Sequence, residues 1–306
     1  MTEQVGFVEV GPRDGFQNWP EPVSTEIKVR LVRAAFAAGV PRVEATSMVS
    51  PRWVPQMADA ADVLAALRPQ ELARTRVLVP NLKGLERAVA AGAANVLVNV
   101  GVTEGFNRHN LNRSVDETLA DIAEVVREAG SGVRVDASIS VAWGCPYEGP
   151  VAPAQVMAVA DRLAAMGVRE LSFGDTIGVA TPSGVRALAR EAMSRFPALG
   201  VAMHLHDTRG MGLANTLAAL ECGVRAFEGS IGGIGGCPFA PNSTGNVCSE
   251  DLLALVEDAG LGTGIDVDAL IAAARALSRD LGKELPGRLQ RAGREPWRSL
   301  PGRRRR

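Results

Sequence analysis

Eight short runs rich in β-branched residues alternate with longer segments rich in Ala, Leu and Arg, and this alternation restricts the fold more than any other feature of the chain. The runs lie at 5–10, 42–45, 76–79, 95–100, 134–141, 170–173, 201–206 and 225–230. Between them, 25–38, 58–67, 83–91, 115–129, 154–166, 182–195 and 214–222 repeat apolar residues at helical spacing, as in Leu31, Ala34, Ala35 and Ala38. Several of these segments stop at a glycine (Gly39, Gly92, Gly130, Gly167, Gly223), the residue that most easily takes the left-handed turn after a helix. Pro153 and Pro182 stand where helices begin. Strict alternation calls for parallel strands joined by right-handed crossovers. Eight such units predict an α/β fold, a (β/α)8 TIM barrel of typically ~250 residues. The stretch 252–281 adds two C-terminal helices, so the catalytic barrel domain is expected over 1–282, with 283–306 an irregular Arg-rich tail. An open doubly wound sheet would carry a bare glycine turn after its first strand. Here that turn is Gly11-Pro12-Arg13-Asp14-Gly15, with a charge pair in the middle.

Charge and composition remove other classes. A formal net charge of −1 over 306 residues argues against nucleic acid as a partner. No apolar run reaches the length of a membrane span, and the first residues lack a basic-then-apolar leader, so the expected compartment is the cytoplasm. Cys145, Cys222, Cys237 and Cys248 form no CxxC pair, which fits free thiols.

In a barrel, function gathers at the C-terminal ends of the strands. Arg13, Asp14 and Gln17 follow the first run, Glu44 lies at the second, Asp175 follows the sixth, and Asn246 lies beyond the eighth. The sharpest feature is His204-Leu205-His206. Residues i and i+2 of a strand share a face, so the two imidazoles point the same way and form a natural metal clamp. Asp14 at the same mouth is the best carboxylate to complete it, leaving positions open for water or substrate. Gly232-Gly233-Ile234-Gly235-Gly236-Cys237-Pro238 reads as a mobile lid carrying a thiol. Cys145, Cys222 and Cys248 read as structural, and His109 as a rim residue.

These residues belong to longer ordered stretches: GPRDG with Phe16-Gln17-Asn18, EATSMVSPRWVPQMAD from Glu44, PNLKG from Pro80, GCPYEG from Gly144, GDTIGVATP from Gly174, HLHDTRGMGLANT from His204 and GGIGGCPFA from Gly232. Together they resemble the 3-hydroxy-3-methylglutaryl-CoA lyase family of pyruvate-carboxyltransferase-like TIM-barrel metallolyases, over about residues 5–280. The resemblance implies a divalent metal, Mg²⁺ or Mn²⁺, on Asp14, His204, His206 and Asn246. It implies catalytic roles for Arg13, Asp14, Glu44, Asp175, His204 and Cys237, with Arg13 on the thioester-derived carbonyl and Gln17 beside it as a substrate contact. The reaction implied splits a 3-hydroxyacyl-CoA into acetyl-CoA and a ketone, acetoacetate for the parent substrate. Barrels of this kind are often dimeric, so a homodimer is the expected assembly.

The chain departs from the family pattern at Asn99–Phe106, at Val141 and Trp143, and at Pro241-Asn242-Ser243. Trp143 is expected to re-line the acyl pocket, which keeps a lyase for another branched 3-hydroxyacyl-CoA as an alternative. A Claisen-condensing acyltransferase of the isopropylmalate synthase type and a non-catalytic acyl-CoA-binding barrel are the remaining readings. The first usually carries a further C-terminal region, and the second is opposed by the intact set of Arg13, Asp14, His204, His206, Asn246 and Cys237.

Overall fold

The computed structural model describes residues 3–236 and 245–295. Eight parallel strands close into a barrel in the order β1-β8-β7-β6-β5-β4-β3-β2. They are β1 (Gly6–Glu9), β2 (Arg42–Ser47), β3 (Thr75–Leu78), β4 (Asn95–Gly101), β5 (Arg134–Ser140), β6 (Glu170–Gly174), β7 (Gly200–His204) and β8 (Ala226–Gly229). The helices are α1 (Thr25–Ala37), α2 (Ala60–Ala65), α3 (Pro69–Leu72), α4 (Leu82–Ala90), α5 (Glu104–Leu111), α6 (Val115–Ala129), α7 (Pro153–Met166), α8 (Pro182–Arg195), α9 (Gly212–Glu221), α10 (Ser249–Asp258), α11 (Val267–Leu281) and α12 (Leu289–Ala292). The barrel and the two added helices α10 and α11 are as the sequence predicts. None of the described helices is long and apolar enough to cross a membrane.

Local chemistry explains the boundaries. Ser24, Asn81, Thr103, Ser114, Thr181 and Asp266 each accept a hydrogen bond from the amide three residues on, satisfying donors that the first helical turn leaves open. The five glycines read as helix stops all have positive φ. Three of the described helices have no counterpart in the sequence reading, α3, α5 and α12, because one- and two-turn segments carry too little periodicity.

The core lies between the barrel wall and the helices, where Phe7, Phe173, Phe227, Leu119 and Val156 are buried. The barrel interior is different, because it is filled with charge. Arg42 on β2 bonds Asp136 on β5 and Glu170 on β6, and Arg76 on β3 bonds Glu228 on β8, contacts that can only cross the lumen.

The segment 283–295, expected to be irregular, packs on the barrel as far as it is described. Leu285 is buried against Gly232, and Gly287 N donates to Gly232 O (3.0 Å). The Asp251 carboxylate receives the amides of Arg288 and Leu289 (2.9 Å each), and Gln290 Nε2 donates to Leu285 O (2.7 Å). A single apolar residue amid Pro, Gly and Arg was too weak a signal for this docking. Leu285→Ala is expected to lower stability by about 2–4 kcal/mol, read as a lower urea midpoint at unchanged m-value.

Candidate active site

After β1 the chain makes one wide π-helical turn, Gly11–Gly15. It needs glycine at both ends: a Cβ on Gly11 would lie 2.6 Å from Glu9 Oε1, and one on Gly15 would lie 2.6 Å from the Ile234 side chain. The turn lifts Arg13 and Asp14 over the barrel mouth. Arg13 Nη1 donates to Asp14 Oδ1 (2.6 Å), and its Nε donates to the fully buried Glu44.

Strand β7 ends at His204, two residues earlier than the sequence predicts. His206 instead forms an antiparallel bridge with Asn246. Flanking bonds Asp207 N→Gly245 O (2.9 Å) and Val247 N→Leu205 O (3.0 Å) lay the segment 245–249 across the end of the barrel, and this is what delivers Asn246 to the mouth. The imidazoles still converge, with His204 Nε2 and His206 Nε2 3.1 Å apart and His204 Nε2 3.9 Å from Asp14 Oδ2.

One donor atom from each of Asp14, His204 and His206 lies within 4.8 Å of the others. Asn246 Nδ2 donates to Asp14 Oδ2 (2.8 Å) and Ile234 O (3.2 Å), while its buried Oδ1 has no hydrogen-bond partner among the described residues. Two nitrogens, a carboxylate and an unclaimed amide oxygen fit a hard or borderline divalent cation. His204 Nδ1 is paired with Glu228 Oε2 (2.8 Å), the partner that orients a ligating imidazole and leaves Nε2 facing the site. Burial alone would raise the Asp14 carboxyl, but the Arg13 guanidinium and the two histidines bring it down to about 2, so it is an anion throughout. Burial and the neighbouring His204 push His206 down to about 4 and keep it neutral. His204 moves the other way: burial lowers its pKa, and the Glu228 hydrogen bond with the Asp14 charge more than reverses that.

A cavity of about 190 Å³ opens here, lined by Arg13, Asp14, Gln17, His204, His206 and Gly236 and, on the far wall, by Asn99, Ser138, Ser140 and Thr176. Arg13, Asp14, Gln17, His204, His206 and Asn246 are therefore brought together as the sequence anticipates. Glu44 stands beneath Arg13 rather than facing the cavity. Asp175 does not face the cavity either: its carboxylate receives the amides of Val179 (2.8 Å) and Ala180 (3.1 Å) and holds the loop after β6, with burial raising its pKa to about 6. Cys237 lies outside the described residues, one position past Gly236, whose carbonyl accepts from Asn18 Nδ2 (3.1 Å) at the mouth.

Trp143 is a correction. It does not line the acyl side of the mouth but a separate apolar cavity of about 500 Å³ with Val151, Val179, Thr181 and Leu188. The cause is Val141, whose φ of +57° turns the chain outward at the end of β5 and whose amide donates to Thr176 Oγ1 (2.8 Å). Cys145, Cys222 and Cys248 are free thiols away from the cavity lining, as expected.

The comparisons fit this geometry. The sequence matches the HMGL-like family over residues 4–277. The chain belongs to that family, and it is a carbon–carbon lyase. It is 43% identical over 293 residues to the mitochondrial hydroxymethylglutaryl-CoA lyase of Mus musculus, covering 95% of this chain and 90% of that one. It is 42% identical to the (R)-citramalyl-CoA lyase of Chloroflexus aurantiacus, covering 95% of each. Among solved structures, an HMG-CoA lyase from Acinetobacter baumannii in complex with coenzyme A and 3-methylmalate superposes with a TM-score of 0.90 at 34% identity, covering 95% of each chain.

Sequence reasoning missed Glu9, Arg76 and Glu228, because a charged residue inside a strand run reads as an interruption of it. Glu9 Oε1 accepts from the amides of Gly11 (2.8 Å) and Ile231 (2.9 Å), and Ser249 Oγ lies 2.5 Å from Oε2, so one carboxyl ties the Arg13–Asp14 turn to the start of the glycine loop. Burial raises its pKa to about 8. A carboxyl that keeps its proton in the fold and loses it in the unfolded chain makes stability fall as pH rises from about 4.5 toward 8. Glu9→Gln is expected to flatten that decline, seen as a smaller drop of the urea midpoint between pH 5 and 8. An unchanged slope would mean that Glu9 is ionised in the folded protein.

Proposed function

We propose that the chain cleaves 3-hydroxy-3-methylglutaryl-CoA to acetyl-CoA and acetoacetate with Mg²⁺ or Mn²⁺ bound by Asp14, His204, His206 and Asn246. The observation that carries the reading is one cavity in which a guanidinium held by two carboxylates stands beside a carboxylate–imidazole pair with open donor atoms. Retro-aldol cleavage must ionise a tertiary alcohol of pKa ~16, about 12 units above an ordinary carboxylate and so roughly 16 kcal/mol out of reach of a carboxylate base alone. A bound divalent cation supplies the missing acidification of a coordinated oxygen.

The remaining work belongs to the protein. Arg13 presents fixed N–H donors to the oxygen of the departing thioester as enolate charge develops, and Glu44 and Asp14 keep that fork from swinging. Asp14, ionised in the resting site, serves as ligand and electrostatic anchor and takes the proton that the substrate hydroxyl gives up. Glu44 and Asp175 act by positioning, the first through Arg13 and the second through the loop after β6. Cys237 protonates the departing carbon, since a thiol of pKa ~8.5 is mostly protonated near neutrality. Gln17 lies within the same cavity as a substrate contact. An acyl-CoA is the partner on this reading, and a homodimer the assembly, which light scattering on the purified protein checks.

A second substrate is favoured by one observation. The β4–β6 wall is hydroxyl- and amide-lined, with Asn99 Nδ2 donating to Ser140 Oγ (2.8 Å) and Ser138 and Thr176 beside them. Such a wall suits a polar acyl branch, such as the citramalyl group named for the Chloroflexus relative.

The purified protein with Mn²⁺ is expected to release acetyl-CoA and acetoacetate from 3-hydroxy-3-methylglutaryl-CoA, and to stop when the metal is chelated. A higher kcat/KM for citramalyl-CoA measured alongside would transfer the assignment to that substrate. Cys237→Ser is expected to keep fold and Mn²⁺ affinity while kcat drops by about 10²-fold or more; full activity would remove the thiol from the mechanism.

A further inference from the structure

Arg76 lies on β3, is completely buried, and touches neither the cavity nor any proposed ligand. Its Nε donates to Glu44 Oε2 (2.6 Å) and its Nη2 contacts the same carboxylate. Nη2 also donates to Glu228 Oε1 (2.7 Å) across the lumen. Each carboxylate is bidentate in function, because its other oxygen holds a residue of the mouth: Glu44 Oε1 receives Arg13 Nε, and Glu228 Oε2 is paired with His204 Nδ1 (2.8 Å). The two branches meet again at Asp14, through Arg13 Nη1 (2.6 Å) and across 3.9 Å to His204 Nε2. Six side chains thus form a closed ring with Arg76 at its base. Asp136 and Glu170 add their charge to the same guanidinium, Glu170 at 3.8 Å from Nη1, which has no hydrogen-bond partner among the described residues.

We propose that Arg76 is a positioning residue that sets the Arg13 fork and the His204 imidazole together, through Glu44 and Glu228, so that the enolate-binding and metal-binding halves of the site share one buried support. The planar fork of a guanidinium can hold two carboxylates at fixed angles; an ammonium cannot. With the guanidinium removed, Glu44 and Glu228 are two buried carboxylates with nothing between them, and each loses the contact that fixes the oxygen it presents to the mouth. Contacts one shell out from a ligating histidine typically change metal affinity by 10–100-fold.

The inference rests on the metal reading of Asp14 and His204, so its first readout is Mn²⁺ alone. Arg76→Met is expected to weaken Mn²⁺ binding by about tenfold in calorimetry and to lower kcat by a larger factor with little change in KM, because both halves of the site lose register while the cavity walls stay. Arg76→Lys is expected to recover fold stability fully but Mn²⁺ affinity and kcat only in part. If Arg76→Met does not fold, Glu228→Gln is the substitute, and adding Arg76→Lys to it is expected to weaken Mn²⁺ no further, since Arg76 reaches the His204 imidazole through Glu228. Wild-type Mn²⁺ affinity and kcat in folded Arg76→Met, or additive losses in the double variant, would overturn the proposal. Were the wild type to bind Mn²⁺ yet leave 3-hydroxy-3-methylglutaryl-CoA intact, the substrate assignment alone would fail, and the Mn²⁺ titrations would still decide the role of Arg76.

Discussion

The pairing of β1 with β8 closes the barrel, and every feature of the site depends on that closure. The register Gly6↔Ala226 to Glu9↔Gly229 places the end of the first strand beside the end of the last. The Gly11–Gly15 turn then stands against Ser230, Ile231 and Ile234, close enough that neither end glycine can carry a side chain without displacing them. Glu9 fastens the two sides together. A carboxyl with its proton retained can accept two amides and still share a hydrogen with Ser249, which a carboxylate in the same apolar surroundings would do at a high desolvation cost.

Inside the barrel, the chain departs from the usual branched-aliphatic filling. Arg42, Glu44, Arg76, Asp136, Glu170 and Glu228 fill the lumen from its base to the level of His204. Buried ion pairs of this kind rarely add net stability over apolar packing, yet removal of one partner is severe. What the pairs do here is orientation: Glu44 holds Arg13 and Glu228 holds His204, each from a buried position below the mouth.

The sequence carried the barrel because alternation of strand and helix over eight units has few other solutions, and it carried Arg13, Asp14, His204, His206 and Asn246 because each stands at a strand end or on a recognisable motif. Three things were not legible. His206 lies past the strand, and its convergence with His204 comes from the bridge to Asn246, a contact 40 residues away in sequence. Trp143 turns away from the acyl pocket because Val141 adopts a left-handed backbone that a β-branched residue seldom takes, and no local pattern announces it. The lumen charges look like breaks in strand runs, since a single sequence does not reveal that opposite charges on β2, β3 and β8 meet across a cavity.

The pairing of the first strand with the last also governs when the site can come into being. Asn246 Nδ2 and Asp14 Oδ2 are joined across 232 residues, and the β1–β8 register spans almost as many. Contacts of such sequence separation form late and slowly. During synthesis, at ~5–20 residues per second, the chain emerges for tens of seconds as an open sheet with β1 as a free edge. Through that interval Arg13 and Asp14 have no β8 beside them, and the edge of β1 offers unpaired backbone groups to other chains. Asp14 and Asn246, proposed above as metal ligands, therefore come together only when the whole barrel is complete.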